Sequence, residues 1–288
     1  MYKSLEEICK AAKSSSFYEA VLKDDCRERG IKEKESKAQM GAMYEAMKQA
    51  DAGYDAAQVS ASGLAGTDGE KLARARAEKK LICGDLIGLV MEKAVKMGES
   101  NACMKRIVAA PTAGSCGVLP AVLLSLEETA HYSRESLVEA LFVAAGIGGV
   151  IADRAFIAGA AGGCQAEIGS ASAMAAGAVT WLRGGNETQI VHAAALALKS
   201  LLGLACDPVA GLVEVPCIKR NVIGAVNALT ASDMAMAGIL SRIPPDEVID
   251  AMRNIGRSMP SCLKETGEGG LAVTPTGMQV KEKLPNFT

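Results

Sequence analysis

Four irregular stretches of this sequence gather the residue types that do chemistry. They run Ala110-Pro-Thr-Ala-Gly-Ser-Cys-Gly117, Ala161-Gly-Gly-Cys-Gln-Ala-Glu167, Cys206-Asp-Pro-Val-Ala-Gly211 and Val215-Pro-Cys-Ile-Lys-Arg-Asn221. Loops held by rigid helices are where sites concentrate. Cys164 and Cys217 are placed to open helices, and Cys206 to close one. A helix N-terminus stabilises a thiolate, which is the metal-binding form of cysteine. Three thiolates on loop ends could therefore converge on one metal group. Their spacing, 42 residues and then 11, lacks the compact Cys-x-x-Cys runs of ferredoxins and zinc ribbons. Three unrelated buried cysteines are the competing reading.

The stretch at 110–117 follows an apolar segment and precedes a helix expected from about Val118. Backbone N–H groups and hydroxyls at such a junction form a concavity suited to a carboxylate, although an ordinary capped turn would look the same. A further segment, Ser261 to Ala272, sets Lys264, Glu265 and Thr266 among glycines. It reads as a tight polar turn that either closes over a site or ends the domain. His131 and His192 are the only histidines. Both fall on expected helices without a Cys or Asp partner for a nucleophilic triad, and neither is assigned a catalytic role. Gly146-x-Gly148-Gly149 lacks the preceding strand and the full fingerprint of a nucleotide loop.

The elements that must position these stretches are helical. Met40, Met43, Tyr44 and Met47 fall on one helix face, and Leu81, Ile82, Leu86, Leu89 and Val90 continue the pattern after a Gly-rich break at 63–69. Ser4-x-x-Glu7 fits a capping box, and Asp246 after Pro244-Pro245 sits where another helix would start. No period-2 alternation is sustained; 106–109 and 212–215 are brief β-like stretches. The region from Val143 to Gly211 is rich in Ala and Gly, which allows helix backbones to approach closely. The expected fold is all-α or predominantly α: a compact helical domain of packed Gly/Ala-rich helices and Cys-bearing loops. It is read as one domain over 1–288, with an N-terminal helical layer (1–100) and a site-bearing part (101–288).

Composition removes several function classes. The chain has 288 residues, 49% of them hydrophobic, which is ample for a core. With a net charge of −2, scattered Lys and Arg, and 3% aromatics, it offers neither a phosphate track nor a stacking platform, so no nucleic-acid partner is expected. The N-terminus lacks an apolar signal region. The longest apolar run, 137–152, contains Glu139 and falls short of the ~20 residues of a membrane span. A cytoplasmic protein without membrane contact is expected, and its nine cysteines are then not a disulfide framework.

Taken together, the stretches resemble the α subunit of iron–sulfur-dependent L-serine dehydratase (L-serine deaminase). The matching residues are Ala-Ala-Pro-Thr-x-Gly at 109–114, Gly-Cys-Gln-Ala-Glu-x-Gly at 163–169, Cys-Asp-Pro-Val-Ala-Gly-x-Val-x-Val-Pro-Cys-Ile at 206–218, and Lys-Glu-Thr-x-x-Gly-Gly-Leu-Ala at 264–272. The resemblance implies a [4Fe–4S] cluster held by Cys164, Cys206 and Cys217, with one iron left open as a Lewis acid for the hydroxyl of L-serine. Loss of water would give an enamine, then an imine, then pyruvate and ammonia. Thr112, Gly114, Lys264, Glu265 and Thr266 are the expected substrate contacts. The family's other half carries a Ser-Ser-Ser-His-Thr-type motif that this sequence lacks. A separate β subunit in a hetero-oligomer is therefore expected, and the general base, which could lie on it, is unassigned. Competing readings are a cysteine desulfidase-like lyase, a pyridoxal-phosphate dehydratase, for which no Schiff-base lysine stretch is evident, and a non-catalytic helical scaffold.

Overall fold

The computed structural model describes residues 1–284. The helices are α1 (Leu5–Ala12), α2 (Phe17–Arg29), α3 (Glu33–Ala52), α4 (Asp68–Ala77), α5 (Gly84–Ala102), α6 (Val118–Ala130), α7 (Arg134–Arg154), the single turn α8 (Gly159–Gly162), α9 (Ser170–Leu182), α10 (Glu187–Lys199), α11 (Cys217–Met236), α12 (Pro245–Ser258) and α13 (Pro275–Lys283). Among the described residues there is no strand, only two isolated bridges, Val59 with Gly66 and Cys206 with Lys264. The predominantly α reading holds, and the β-like stretches at 106–109 and 212–215 are irregular.

Local chemistry sets the helix ends. Ser4 accepts from Glu7 N at 3.0 Å, but the Glu7 carboxylate takes Lys3 N, so the expected capping box is displaced by one residue. Asp246, in the first turn of α12, accepts from Leu5 N at 2.9 Å and so caps α1 from across the chain. At α2 the full Ser16–Glu19 box is present.

At the centre, α9 packs against α6, α7, α10 and α11. Its small residues make this possible: a Cβ on Gly177 would lie 2.1 Å from Ile147 Cδ1 on α7. Likewise, a Cβ on Gly224 of α11 would lie 2.8 Å from Ile168 Cγ2. Glycines 146, 148 and 149 play the same packing part on α7, facing Val21, Met174 and Met1. That helix is 21 residues long and apolar enough by length and composition to cross a bilayer, longer than the apolar run alone suggested. Most of its apolar window is buried here, with α2, α3 and α9 packed on it.

One continuous apolar cluster joins Leu5, Tyr44 and Val90 of the N-terminal layer to Ile147, Val179 and Met252. The position near Asn101 lies in the last turn of α5, which packs on α6 and α11. Two residues leave their expected faces. Ile82 precedes α5 and is fully exposed, and Met43 is 47% exposed at the mouth of a cavity of about 360 Å³ between α1, α2, α3 and α7.

Candidate metal centre and active site

The four stretches meet at one end of this bundle. Cys164 opens the helical run that becomes α9, as expected, and the first turn of that run, Gln165–Gly169, is π-helical. Such bulges re-aim side chains and recur at functional sites. Gly163 precedes it with φ +77°, where a Cβ would sit 2.9 Å from Leu204 O. Gln165 is fully buried and ties the turn to the chain approaching Cys206: its Nε2 donates to Gly162 O at 2.9 Å, and its Oε1 accepts from Gly203 N at 2.9 Å.

Cys206 does not close a helix. Helix α10 ends at Lys199, and Cys206 lies on an extended segment paired with the tail turn. Its N–H donates to Leu263 O and its carbonyl accepts from Glu265 N, both at 2.8 Å. The pairing joins residues far apart in sequence, so local periodicity could not reveal it. Cys217 is the first residue of α11. One turn on, Asn221 donates to Gly114 O and accepts from Gly117 N, each at 2.9 Å, locking the 110–117 stretch to the Cys217 helix.

All three cysteines are buried and unbridged. Burial pushes the Cys164 thiol up to about 11 and Cys217 to about 12, with Cys206 raised furthest. After burial, the neighbouring thiol Cys164 and Glu167 add to the rise at Cys206 and Cys217, whereas the Arg220 guanidinium opposes it at Cys164 and Cys217. The three sulfurs are thus close enough to feel one another's charge.

Glu167 lies at the middle of the constellation. Thr112 Oγ1 donates to its Oε1 at 2.8 Å, and its Oε2 lies 4.0 Å from Cys206 Sγ. Donor atoms of Glu167, Cys206 and Glu265 lie within 4.8 Å of one another. Burial raises the Glu167 carboxyl above its ordinary value and Glu265 adds to the rise, against the lowering effect of Thr112. Glu265 reaches this position from a left-handed backbone, φ +65°, a conformation that costs energy in a non-glycine residue and clusters at functional sites.

Of the expected substrate contacts, Thr112, Gly114 and Glu265 border this point. A Cβ on Gly114 would stand 3.0 Å from Glu167 Oε1. Lys264 supplies the backbone bridge to Cys206. Thr266 is exposed, and its hydroxyl is engaged within the turn by Ser261 O and Glu268 N. The hydroxyl expected to meet a foreign carboxylate, that of Thr112, meets the protein's own. His192 is remote, accepting from Ser241 N at 3.1 Å, and His131 ends α6.

Sequence reasoning passed over several residues as components of motifs: Glu167, Gln165, Asn221, Arg220 and Glu214. Buried Glu214, between Cys206 and Cys217, accepts from Ser60 Oγ (2.9 Å) and Ser62 Oγ (2.6 Å). For Arg220 and Asn221 a signal existed: they lie three and four residues after Cys217, on its helix face.

The donor chemistry, buried free thiols beside carboxylates, suits a thiolate-bound metal group. Among the described residues, the one trio of donors mutually within 4.8 Å is Glu167, Cys206 and Glu265, not the three thiols. Gly159 lets the backbone pass close to this trio: a Cβ there would lie 2.8 Å from Cys206 Sγ, 2.9 Å from Glu167 Oε2 and 3.1 Å from Glu265 Oε2.

Comparison with known proteins identifies the chain's relatives. The profile of the family described as "Serine dehydratase alpha chain" matches residues 10–272. The chain is 54% identical over 225 residues to the "Probable L-serine dehydratase, alpha chain" of Bacillus subtilis, covering 78% of this chain and 75% of that one. It is 42% identical over 275 residues to the "L-serine dehydratase, alpha chain" of Peptoniphilus asaccharolyticus, covering 90% and 94%. Against "L-serine dehydratase TdcG" of Escherichia coli the identity is 44% over 182 residues, 62% of this chain but 40% of that longer one.

Proposed function

The chain belongs to the serine dehydratase alpha-chain family, and on that premise we propose that it is the α half of an L-serine dehydratase whose [4Fe–4S] cluster is held by Cys164, Cys206 and Cys217. The observation that carries the reading is three buried, unbridged thiols, one of which, Cys206, lies beside the carboxylates of Glu167 and Glu265. When bound, a cluster with one iron lacking a protein thiolate supplies a Lewis acid for the serine hydroxyl.

The chain's own residues do the rest of the positioning. Serine brings an ammonium group, and Glu265 and Glu167 are the carboxylates that face it. Lys264, on the same turn, offers a positive charge for the serine carboxylate. Thr112 fixes Glu167 through Oε1, which leaves Oε2 on the Cys206 side to hold or deliver the proton that departs with hydroxide as water. Gly114 keeps that carboxylate approachable. The base that removes the Cα proton is assigned to a second chain. That chain corresponds to the remainder of longer relatives, of which this chain matches about 40%, and the working enzyme is then a hetero-oligomer. Free thiols favour a reducing compartment, and the cytoplasm is the compartment assigned to the chain on this reading.

The test is iron and acid-labile sulfide per chain in anaerobically prepared protein, beside Cys206→Ala. About four of each in the parent, collapsing in the variant, supports the cluster. Little iron in both after reconstitution overturns it and favours a non-catalytic scaffold. Serine turnover that appears only when the second chain is added supports the division of labour, and full turnover by the isolated loaded chain overturns it. Faster elimination from cysteine than from serine would transfer the assignment to a desulfidase-like lyase.

A further inference from the structure

Arg220 is a half-buried cation that the reaction, as derived above, does not use. It stands three residues after Cys217 on α11, with its side chain 18% exposed. Its Nη1 donates to Ala205 O at 2.7 Å, and its Nη2 pairs with Asp207 Oδ1 at 2.9 Å. It therefore grips the chain on both sides of Cys206. Asp207 is held in turn by Leu271 N, which donates to its Oδ2 at 2.8 Å. Gly270, at φ +59°, allows this approach, since a Cβ there would fall 2.4 Å from that oxygen. Its positive charge also favours the thiolates of Cys164 and Cys217.

We infer that Arg220 is the positioning residue of the three-thiol centre, fixing Cys206 relative to Cys217 and setting one positive charge beside the centre. The inference rests on reading those thiols as cluster ligands. Its chemistry is specific to arginine. A planar fork can engage a carbonyl and a carboxylate at once, whereas an ammonium is a point charge that satisfies one at a time. A fixed charge beside a cluster also sets its reduction potential, because a nearby cation stabilises the reduced, more negative form.

The experiment compares Arg220→Gln, Arg220→Lys and Asp207→Asn in anaerobically reconstituted protein. The readouts are the cluster's reduction potential and the rate of iron loss to a chelator. Arg220→Gln is expected to shift the potential to more negative values and to speed iron loss by about tenfold or more. Arg220→Lys keeps the charge, so its potential stays near the parent's while iron loss still accelerates. Asp207→Asn removes a negative charge and shifts the potential the other way. If Arg220→Gln does not fold, the Lys and Asn variants carry the test, since a merely structural role would not give one an unchanged and the other a raised potential. A loaded parent whose variants all keep its potential and its chelation rate overturns the role of Arg220 alone. A parent that takes up no iron overturns the ligand reading, and this inference with it.

Discussion

Most buried carboxylates of this molecule are compensated, Asp207 and Glu214 at the cysteine end included, and the pair Glu167 and half-buried Glu265 is the exception. In the N-terminal layer each is compensated. Asp24 pairs with the N-terminus and Arg27, and Glu92 with Arg76 and Lys96. Glu99, 1% exposed, accepts from Tyr54 Oη and from Asp68 N and Gly69 N at the start of α4. At the cysteine end, Glu167 and Glu265 face each other and a thiol, and among the described residues neither has a cationic partner. The cavity of about 360 Å³ beside Asp24 is roomier than anything this contrast requires, yet its acids are all paired. Uncompensated charge, not cavity size, marks the candidate site. Buried charge without a partner costs stability, and a fold that keeps it keeps it for another purpose.

The sharpest way to break this comparison is Glu167→Gln. The amide keeps the shape and can still accept from Thr112, but it cannot carry the charge or deliver a proton. Turnover of the assembled enzyme is expected to fall about 10²–10⁴-fold, the usual contribution of a positioned acid or base. The unfolding midpoint of the cluster-free chain at pH 7 should hold or rise, because burial disfavours the charged form of this group. A clear loss of stability with turnover intact would make Glu167 a structural residue like the compensated carboxylates.

Two glycines sharpen the contrast. Gly146→Ala drives a methyl group to 2.5 Å from Val21 Cγ2, so overpacking should cost about 1–3 kcal/mol in urea unfolding while iron content stays at the parent's level. Gly159→Ala inserts its methyl group among Cys206, Glu167 and Glu265. It should lower iron per chain without a comparable loss of stability, since alanine favours a helix by up to ~1 kcal/mol over glycine. The reverse pattern would mean that the space beside Gly159 is ordinary packing.

How much of this could be read from the sequence follows from the range of the interactions involved. The helices were legible because their apolar spacing is local, and the cysteines because type and loop context mark them. Cys206 was misplaced, expected at a helix end, because what holds it is a bridge to Lys264 nearly sixty residues away. Ile82 was assigned to a helix face because period alone does not say that α5 starts two residues later. The caps that Asp246 gives α1 and Glu99 gives α4 were invisible for the same reason: each acid comes from another helix. Glu167 was in plain view inside a motif, but its isolation from any cation is a property of the assembled site.

The smallest expected effect tests the compensated carboxylates by their pH dependence. Burial alone would raise the Glu92 carboxyl, but Lys96 at 2.6 Å and Arg76 at 2.9 Å overcome it, and the net shift is downward. A carboxylate whose folded value lies below its unfolded one adds stability above the unfolded value, about 4.3 for Glu. That stability is lost as pH falls through the folded value. Glu92→Gln should therefore lower stability at pH 7 by about 1–2 kcal/mol, between the values for exposed and fully buried pairs. The gap between parent and variant should narrow once the pH falls below the unfolded value of about 4.3 and close as it passes the folded value, with iron content unaffected throughout. Urea midpoints followed from pH 7 down through the acid limb decide it. A gap that persists in acid would mean that Glu92 contributes by packing rather than by charge, and the contrast between compensated and uncompensated carboxylates would lose one of its supports.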